Sequence, residues 1–204
     1  MQKAKATRFS SITLCLLLSV VFSACIGGGS QEPSRYYTLA VENTDMPKGS
    51  PSEKRILVRK FTIDQAYQRN NIVYRESAYD FSFYDFDLWA SRPEQMIMQI
   101  SAEYLSKSGI FSSVETKNAG KPDFELSGNI TAIEEVDEND SQYARLAMEI
   151  SLRKVDSDSA IFNKRFDEKM PIEKREARHV AESISKLLAK IMADVLEEIA
   201  SNSL

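Results

Sequence analysis

The sequence predicts an α+β domain: a largely antiparallel sheet with two main amphipathic helices packed on one face. Three observations carry this. Between Phe124 and Phe166 apolar residues alternate with polar ones in successive runs joined by turn residues, the two-residue period of half-buried strands. Around Pro93–Gly109 and Ala177–Ala200 the apolar spacing changes to three and four, the period of a helix with one buried face. Finally, 204 residues of which 43% are hydrophobic suffice for one packed core and fall short of two large ones.

The chain opens with Lys3, Lys5 and Arg8, followed by an apolar run from Ile12 to Phe22. That run has the length of a signal-peptide core and is too short to span a bilayer stably. It ends Phe22-Ser23-Ala24-Cys25, small residues before a cysteine, and resembles the lipobox at which signal peptidase II cuts, with Phe22 where leucine is usual. Residues 1–24 are therefore expected to be a lipoprotein signal peptide. Cys25 becomes the first mature residue and the lipid attachment site, carrying a covalent diacylglycerol and an N-acyl chain. Residues 25–34 (Cys-Ile-Gly-Gly-Gly-Ser-Gln-Glu-Pro-Ser) are small and polar, a flexible tether between anchor and body. With each buried acyl methylene contributing roughly 0.8 kcal/mol, such a cysteine holds a protein on a membrane without spanning it.

Residues 35–204 are expected to be a single domain. Tyr36–Val41, Arg55–Phe61 and Asn71–Arg75 have the β-branched and aromatic content of strands. Asn43–Ser52, with two prolines and a glycine, is a loop, and Gln65–Asn70 is a polar connection. In Tyr79–Trp89, Tyr79, Phe81 and Phe83 alternate with Asp80 and Ser82, a half-buried strand in which Phe81, Phe83 and Trp89 are expected to fill the core. Ile97, Ile100, Tyr104 and Leu105 mark a helix from Pro93 that Gly109 stops. Strands follow at Phe124–Ala132, Ala144–Arg153 and Ala160–Phe166, a three-stranded meander. Ala177, Val180, Ala181, Ile184, Leu187, Leu188, Ile191, Val195 and Ile199 then share one face of a long helix ending near Ala200.

Composition narrows the function classes. The formal net charge is -4, and since residues 1–24 carry three basic and no acidic side chains, the remainder stands at -7. An acidic body lacks the basic face that nucleic-acid binding demands. His179 is the single histidine, and Cys15 leaves with the leader while Cys25 takes lipid, so zinc and thiol chemistry have almost nothing to build on and no cofactor is expected. No phosphate-binding loop, dinucleotide fingerprint or nucleophile elbow occurs, which argues against an enzyme; paired carboxylates remain open because acidic residues are plentiful. Glu134–Asp140 lacks the alternation and glycine of an EF-hand and is expected to be a solvated hairpin turn. Glu173, Lys174, Arg175, Glu176, Arg178 and His179 suit an exposed helical face. Tyr84, Asp85 and Asp87 stand where strand gives way to helix, and exposed connections of that kind make them the first candidates for a partner contact.

Tyr36-Tyr37-Thr38-Leu39 soon after a lipobox, Ile72-Val73-Tyr74-Arg75, Trp89-Ala90 with Pro93, and Gly109-Ile110-Phe111 with Val114 together resemble the ABC-type transport auxiliary lipoprotein family. The similarity covers most of the mature chain. It implies an outer-membrane-anchored, periplasm-facing partner of an ABC permease and a mammalian-cell-entry-type lipid carrier in envelope lipid transport. It also implies self-assembly into a homo-oligomer, ring-shaped in form. Ile26 after the cysteine, in place of aspartate, agrees with outer-membrane sorting as enterobacteria practise it. The competing expectation is an envelope assembly or cell-wall-synthesis regulatory lipoprotein, an interaction module needing the same anchor and body.

Overall fold

In the computed structural model the described residues are 32–42, 46–48, 50–117, 120–138, 141–157 and 159–202. The strands of the first half are β1 (Arg35–Tyr37), β2 (Arg55–Val58), β3 (Thr62–Ile63), β4 (Asn71–Arg75) and β5 (Ser82–Trp89). Helix α1 (Pro93–Ser108) and β6 (Ser113–Glu115) lead to the meander β7 (Phe124–Glu138), β8 (Ser141–Lys154) and β9 (Ala160–Pro171), and α2 (Ala177–Ser201) closes the chain. The leader and Cys25 lie outside the described residues.

Strand β7 is the spine of the sheet. One of its sides pairs antiparallel with β8 from Phe124↔Lys154 to Glu138↔Ser141. Its other side receives, in parallel, β2 at Ile56↔Phe124, β3 at Thr62↔Asn129 and β4 at Tyr74↔Glu135. The meander expected from alternation is present, and β9 completes it antiparallel to β8. The sheet as a whole is mixed, because β1 also runs parallel to β5 and β2 parallel to β6. Parallel pairing between distant segments leaves no local hairpin signal in a sequence, whereas β7 to β9 are joined by short turns.

A bulge between Ile130 and Ala132 reverses the parity of β7. Ile130 pairs with core-facing Met148, but beyond the bulge Ile133 pairs with Leu146, so odd-numbered residues now face the helices. Gly128, before the bulge, is set by close approach: a Cβ there would stand 2.5 Å from the Phe61 ring. That ring is 1% exposed, and Phe61 stands between β2, which ends at Val58, and β3, which starts at Thr62, so the strand expected at 55–61 is shorter and a second begins just after it.

Both helices have the expected buried faces. Helix α1 starts with Pro93 at its first turn and ends on Gly109 at φ 69, the left-handed conformation that glycine adopts without strain. Helix α2, about 37 Å long at 1.5 Å per residue, buries Val180, Ile184, Leu187, Leu188, Ile191, Val195 and Ile199 against β8, β9 and α1. It begins at Ala177, so Glu173–Glu176 precede it. Strand β1 is shorter than expected because the backbone after Tyr37 turns to the helices. The Ala40 amide donates to the Ser185 hydroxyl at 3.1 Å and the Glu42 amide to the Tyr104 hydroxyl at 2.8 Å.

Candidate interaction surface

Strands β4 and β5 form a hairpin whose register is broken: Asn71 pairs with Leu88 but Val73 with Phe83, so two residues of β4 span five of β5. The extra residues turn β5 within its length. Trp89 is buried at 1% exposure, whereas Phe83 is 43%, Phe81 37% and Tyr79 97% exposed. Phe81 and Phe83 therefore do not fill the core as their alternation suggests; of the three aromatics so expected, only Trp89 does. Among the described residues, the exposed large apolar side chains are Tyr79, Phe81, Phe83 and Tyr36, the last on the neighbouring β1. The Arg69 guanidinium lies 4.8 Å from the Phe83 ring centre and 5.7 Å from that of Phe81. Phe81 meets Tyr67 edge-on at 5.4 Å.

Beneath this hairpin are two adjacent carboxylates on opposite faces of β7. Glu134 and Glu135, 1% and 0% exposed, belong to the strand and not to the solvated turn their composition suggests. Glu134 shares a face with its cross-strand partner Arg145, whose Nη1 donates to it at 2.9 Å, while the Tyr67 hydroxyl donates at 2.5 Å. Arg145 also grips Asp167 with Nε and Nη2 at 2.8 and 2.9 Å. On the other face Glu135 accepts from the Tyr84 hydroxyl at 2.7 Å and lies 3.5 Å from Arg175 Nε. Arg175 reaches Asp137 at 2.8 Å and Glu76 at 3.3 Å, and stands 5.8 Å over the Tyr74 ring. One guanidinium thus joins β7, the hairpin and the segment before α2; Arg175 is exposed as expected but precedes the helix instead of lying on its face.

Burial, followed by the hydrogen bonds to Glu134 and Glu135, raises the Tyr67 and Tyr84 phenols well above the usual tyrosine range. Both stay protonated as fixed donors. Burial also raises the Glu135 carboxyl, against the Tyr84 hydrogen bond and the Arg175 charge. Arg145, foremost among the causes, holds Asp167 below the ordinary carboxylate range. Glu134 and Glu135 are each held by a tyrosine and an arginine, an arrangement that fixes strands to one another.

Of the three contact candidates, Asp85 is exposed, Tyr84 is half-buried on Glu135, and Asp87 is 5% exposed. Asp87 accepts from Arg35 at 2.7 and 2.9 Å and from the Tyr37 hydroxyl at 3.0 Å. All three lie within β5, so the expectation of an exposed connection fails for Tyr84 and Asp87, whose polar atoms close inter-strand contacts. Glu134, Tyr67, Arg69 and Arg175 were not separable from loop or surface residues in the sequence. One signal was available for Glu134 and Glu135: β8 alternates from Ala144, and a hairpin partner of equal length carries β7 past Ala132. Among the described residues no cluster of three or more histidine, cysteine, aspartate or glutamate side chains could hold a metal ion. No helix among them is long and apolar enough to cross a membrane.

The α+β body thus uses its buried Glu134 and Glu135 to join its own strands and carries three of its exposed large apolar side chains on one hairpin. The family model for the ABC-type transport auxiliary lipoprotein component matches residues 37–196, and the chain belongs to that family. It is thereby a transport-associated lipoprotein of the cell envelope. The fold is shared with protein XCC0632 from Xanthomonas campestris, at a TM-score of 0.70 with 14% identity over 82% of this chain and 96% of that one. A second solved structure, of an uncharacterized protein, superposes at 0.64 with 19% identity over 83% and 98%. Hypothetical protein CT253 from Chlamydia trachomatis gives 0.51 with 6% identity over 74% and 98%. No curated protein matches the sequence.

Proposed function

We propose that this chain is the membrane-anchored accessory of an ABC-transporter and mammalian-cell-entry-type lipid transport system, acting by docking and assembly and not by catalysis. Its family membership across residues 37–196 is the observation that carries the reading. Acyl chains on Cys25 fix the body to the periplasmic face of the outer membrane, and residues 25–34 give it reach. Glu134 and Glu135 are held by Tyr67, Arg145, Tyr84 and Arg175 within the body, which suits a structural role for that cluster. Asp85, on the surface of β5, is retained as a contact for the permease or the carrier.

Strand β9 supports self-assembly. Among the described residues it pairs only with β8, leaving a 12-residue edge. Such an edge can take a further strand, and its Lys164, Arg165, Asp167, Glu168 and Lys169 would select a charge-matched one.

The test is recovery of partners from cross-linked envelopes using the tagged full chain. An ABC permease or a mammalian-cell-entry-type protein is expected among them; cell-wall or barrel-assembly components in their place would support the regulatory alternative. Cys25→Ala should leave the body folded and release it from the membrane fraction. Mass spectrometry of the mature terminus reads the acylation directly.

A further inference from the structure

We propose that the exposed side of the β4–β5 hairpin, formed by Tyr79, Phe81 and Phe83 with Arg69, is a membrane-contact surface that rests in the headgroup layer of the bilayer holding the anchor. This rests on the acylation of Cys25 proposed above.

Strand direction is the first support. Because β1 is parallel to β5, with Arg35 opposite Asp87 and Tyr37 opposite Trp89, the chain enters β1 from the side on which the hairpin tip stands. The tip and the entry point of the tether therefore share one end of the sheet. The β7–β8 turn lies at that end too, since Tyr74 pairs with Glu135 and Glu138 with Ser141, whereas the β8–β9 turn lies at the other.

Lengths give the second support. Ten residues of glycine-rich tether have an r.m.s. reach of about 18 Å. From Leu88 back to Phe83 the strand advances toward the tip only as far as two residues of β4, about 7 Å, and Ser82 and Tyr79 lie beyond it. A body held at typical tether extension thus brings the hairpin to the bilayer surface before the tether is taut.

Chemistry supplies the third. Phenylalanine and tyrosine rings beside a guanidinium suit the interfacial layer, where rings enter the acyl boundary and cations meet phosphate. Arg75 holds the tip by donating to the Ala78 and Asp80 carbonyls, which adds a second cation beside Tyr79. The patch is a few side chains, against about 20–30 residues a side in a stable protein interface. A lipid surface needs no such area once the acyl anchor supplies the affinity.

The experiment uses the full chain, processed in cells and reconstituted into phosphatidylethanolamine and phosphatidylglycerol vesicles, with an environment-sensitive fluorophore on Ala78→Cys or on Ser159→Cys. Both sites are exposed, and Ser159 stands in the β8–β9 turn. Lipids brominated near the headgroup should quench the Ala78→Cys label several-fold more than the Ser159→Cys label. Adding Tyr79→Ser and Phe83→Ser should bring the first down to the second. An acylated, vesicle-bound chain with equal quenching at both positions overturns the contact alone, as does a hairpin label that stays unquenched and cross-links to a second copy or another protein. An unmodified Cys25 in a chain that remains off the vesicles overturns anchoring and contact together.

Discussion

Arg35 and Asp87 face each other across the parallel β1–β5 pair and share a two-pronged ion pair, Nε and Nη2 donating to the two carboxylate oxygens at 2.7 and 2.9 Å. The first residue of the first strand is thus fastened to the hairpin strand. Planar guanidinium against planar carboxylate fixes direction as well as distance. With the Tyr37 hydroxyl as a third donor, this junction fixes β1 on the hairpin strand.

Asp87→Ala should therefore destabilise the domain by about 1–2 kcal/mol, since it removes a charge-assisted acceptor while Arg35 keeps partial access to water. Asp85→Ala on the same strand should stay within about 0.5 kcal/mol. Urea denaturation of the two variants compares them, and equal midpoints would contradict the assignment of Asp87 to the β1 junction.

Gly128→Ala places a methyl group against the Phe61 ring, where a Cβ would meet ring carbon at 2.5 Å. Overpacking of this kind should cost about 1–3 kcal/mol. Phe61→Leu combined with it should recover part of the loss, and a thermal melt showing simple additivity of the two substitutions would exclude the contact.

Leu188 is fully buried on α2 and Lys186 is exposed. Leu188→Asp buries an unpaired charge and should cost about 4 kcal/mol or more, while Lys186→Asp should change stability by no more than about 0.5 kcal/mol. Indistinguishable melting temperatures would mean that the helix presents another face to the sheet.

Glu135 makes stability depend on pH in a defined direction. Its folded carboxyl is raised by burial, so between the ordinary glutamate value and the raised one the folded state holds the proton that the unfolded chain has lost. The contribution of this group is full below that window and declines as pH rises through it. Glu135→Gln removes the titration, so its stability relative to the parent should improve as pH is raised from about 4 to 7. A difference that stays flat across the series would show that the group does not titrate in that way.

Periodicity made much of the scaffold visible: both helices, the meander and the burial of Leu188 follow from apolar spacing that local turns and caps reinforce. It misled where register intervened. Phe81 and Phe83 alternate like core residues, yet the slip between Asn71 and Val73 leaves them outside. Glu134 and Glu135 have the composition of a wet turn, yet the length of β8 carries them into the sheet, where Tyr67, Arg145, Tyr84 and Arg175 come from four separate segments to meet them. Alternation reports which side of a strand is greasy. It does not report bulges, or partners dozens of residues away.

From its sequence alone one acidic α+β body and the family motifs are legible and a lipoprotein leader is expected, because leaders, lipoboxes and helix faces are written in contiguous residues. Only the tertiary structure decided that β7 collects three parallel strands and that exposed Tyr79, Phe81 and Phe83 stand on the hairpin beside β1. Those arrangements depend on pairings between residues far apart in the chain, and the free energy that selects them belongs to the assembled sheet and to no single segment.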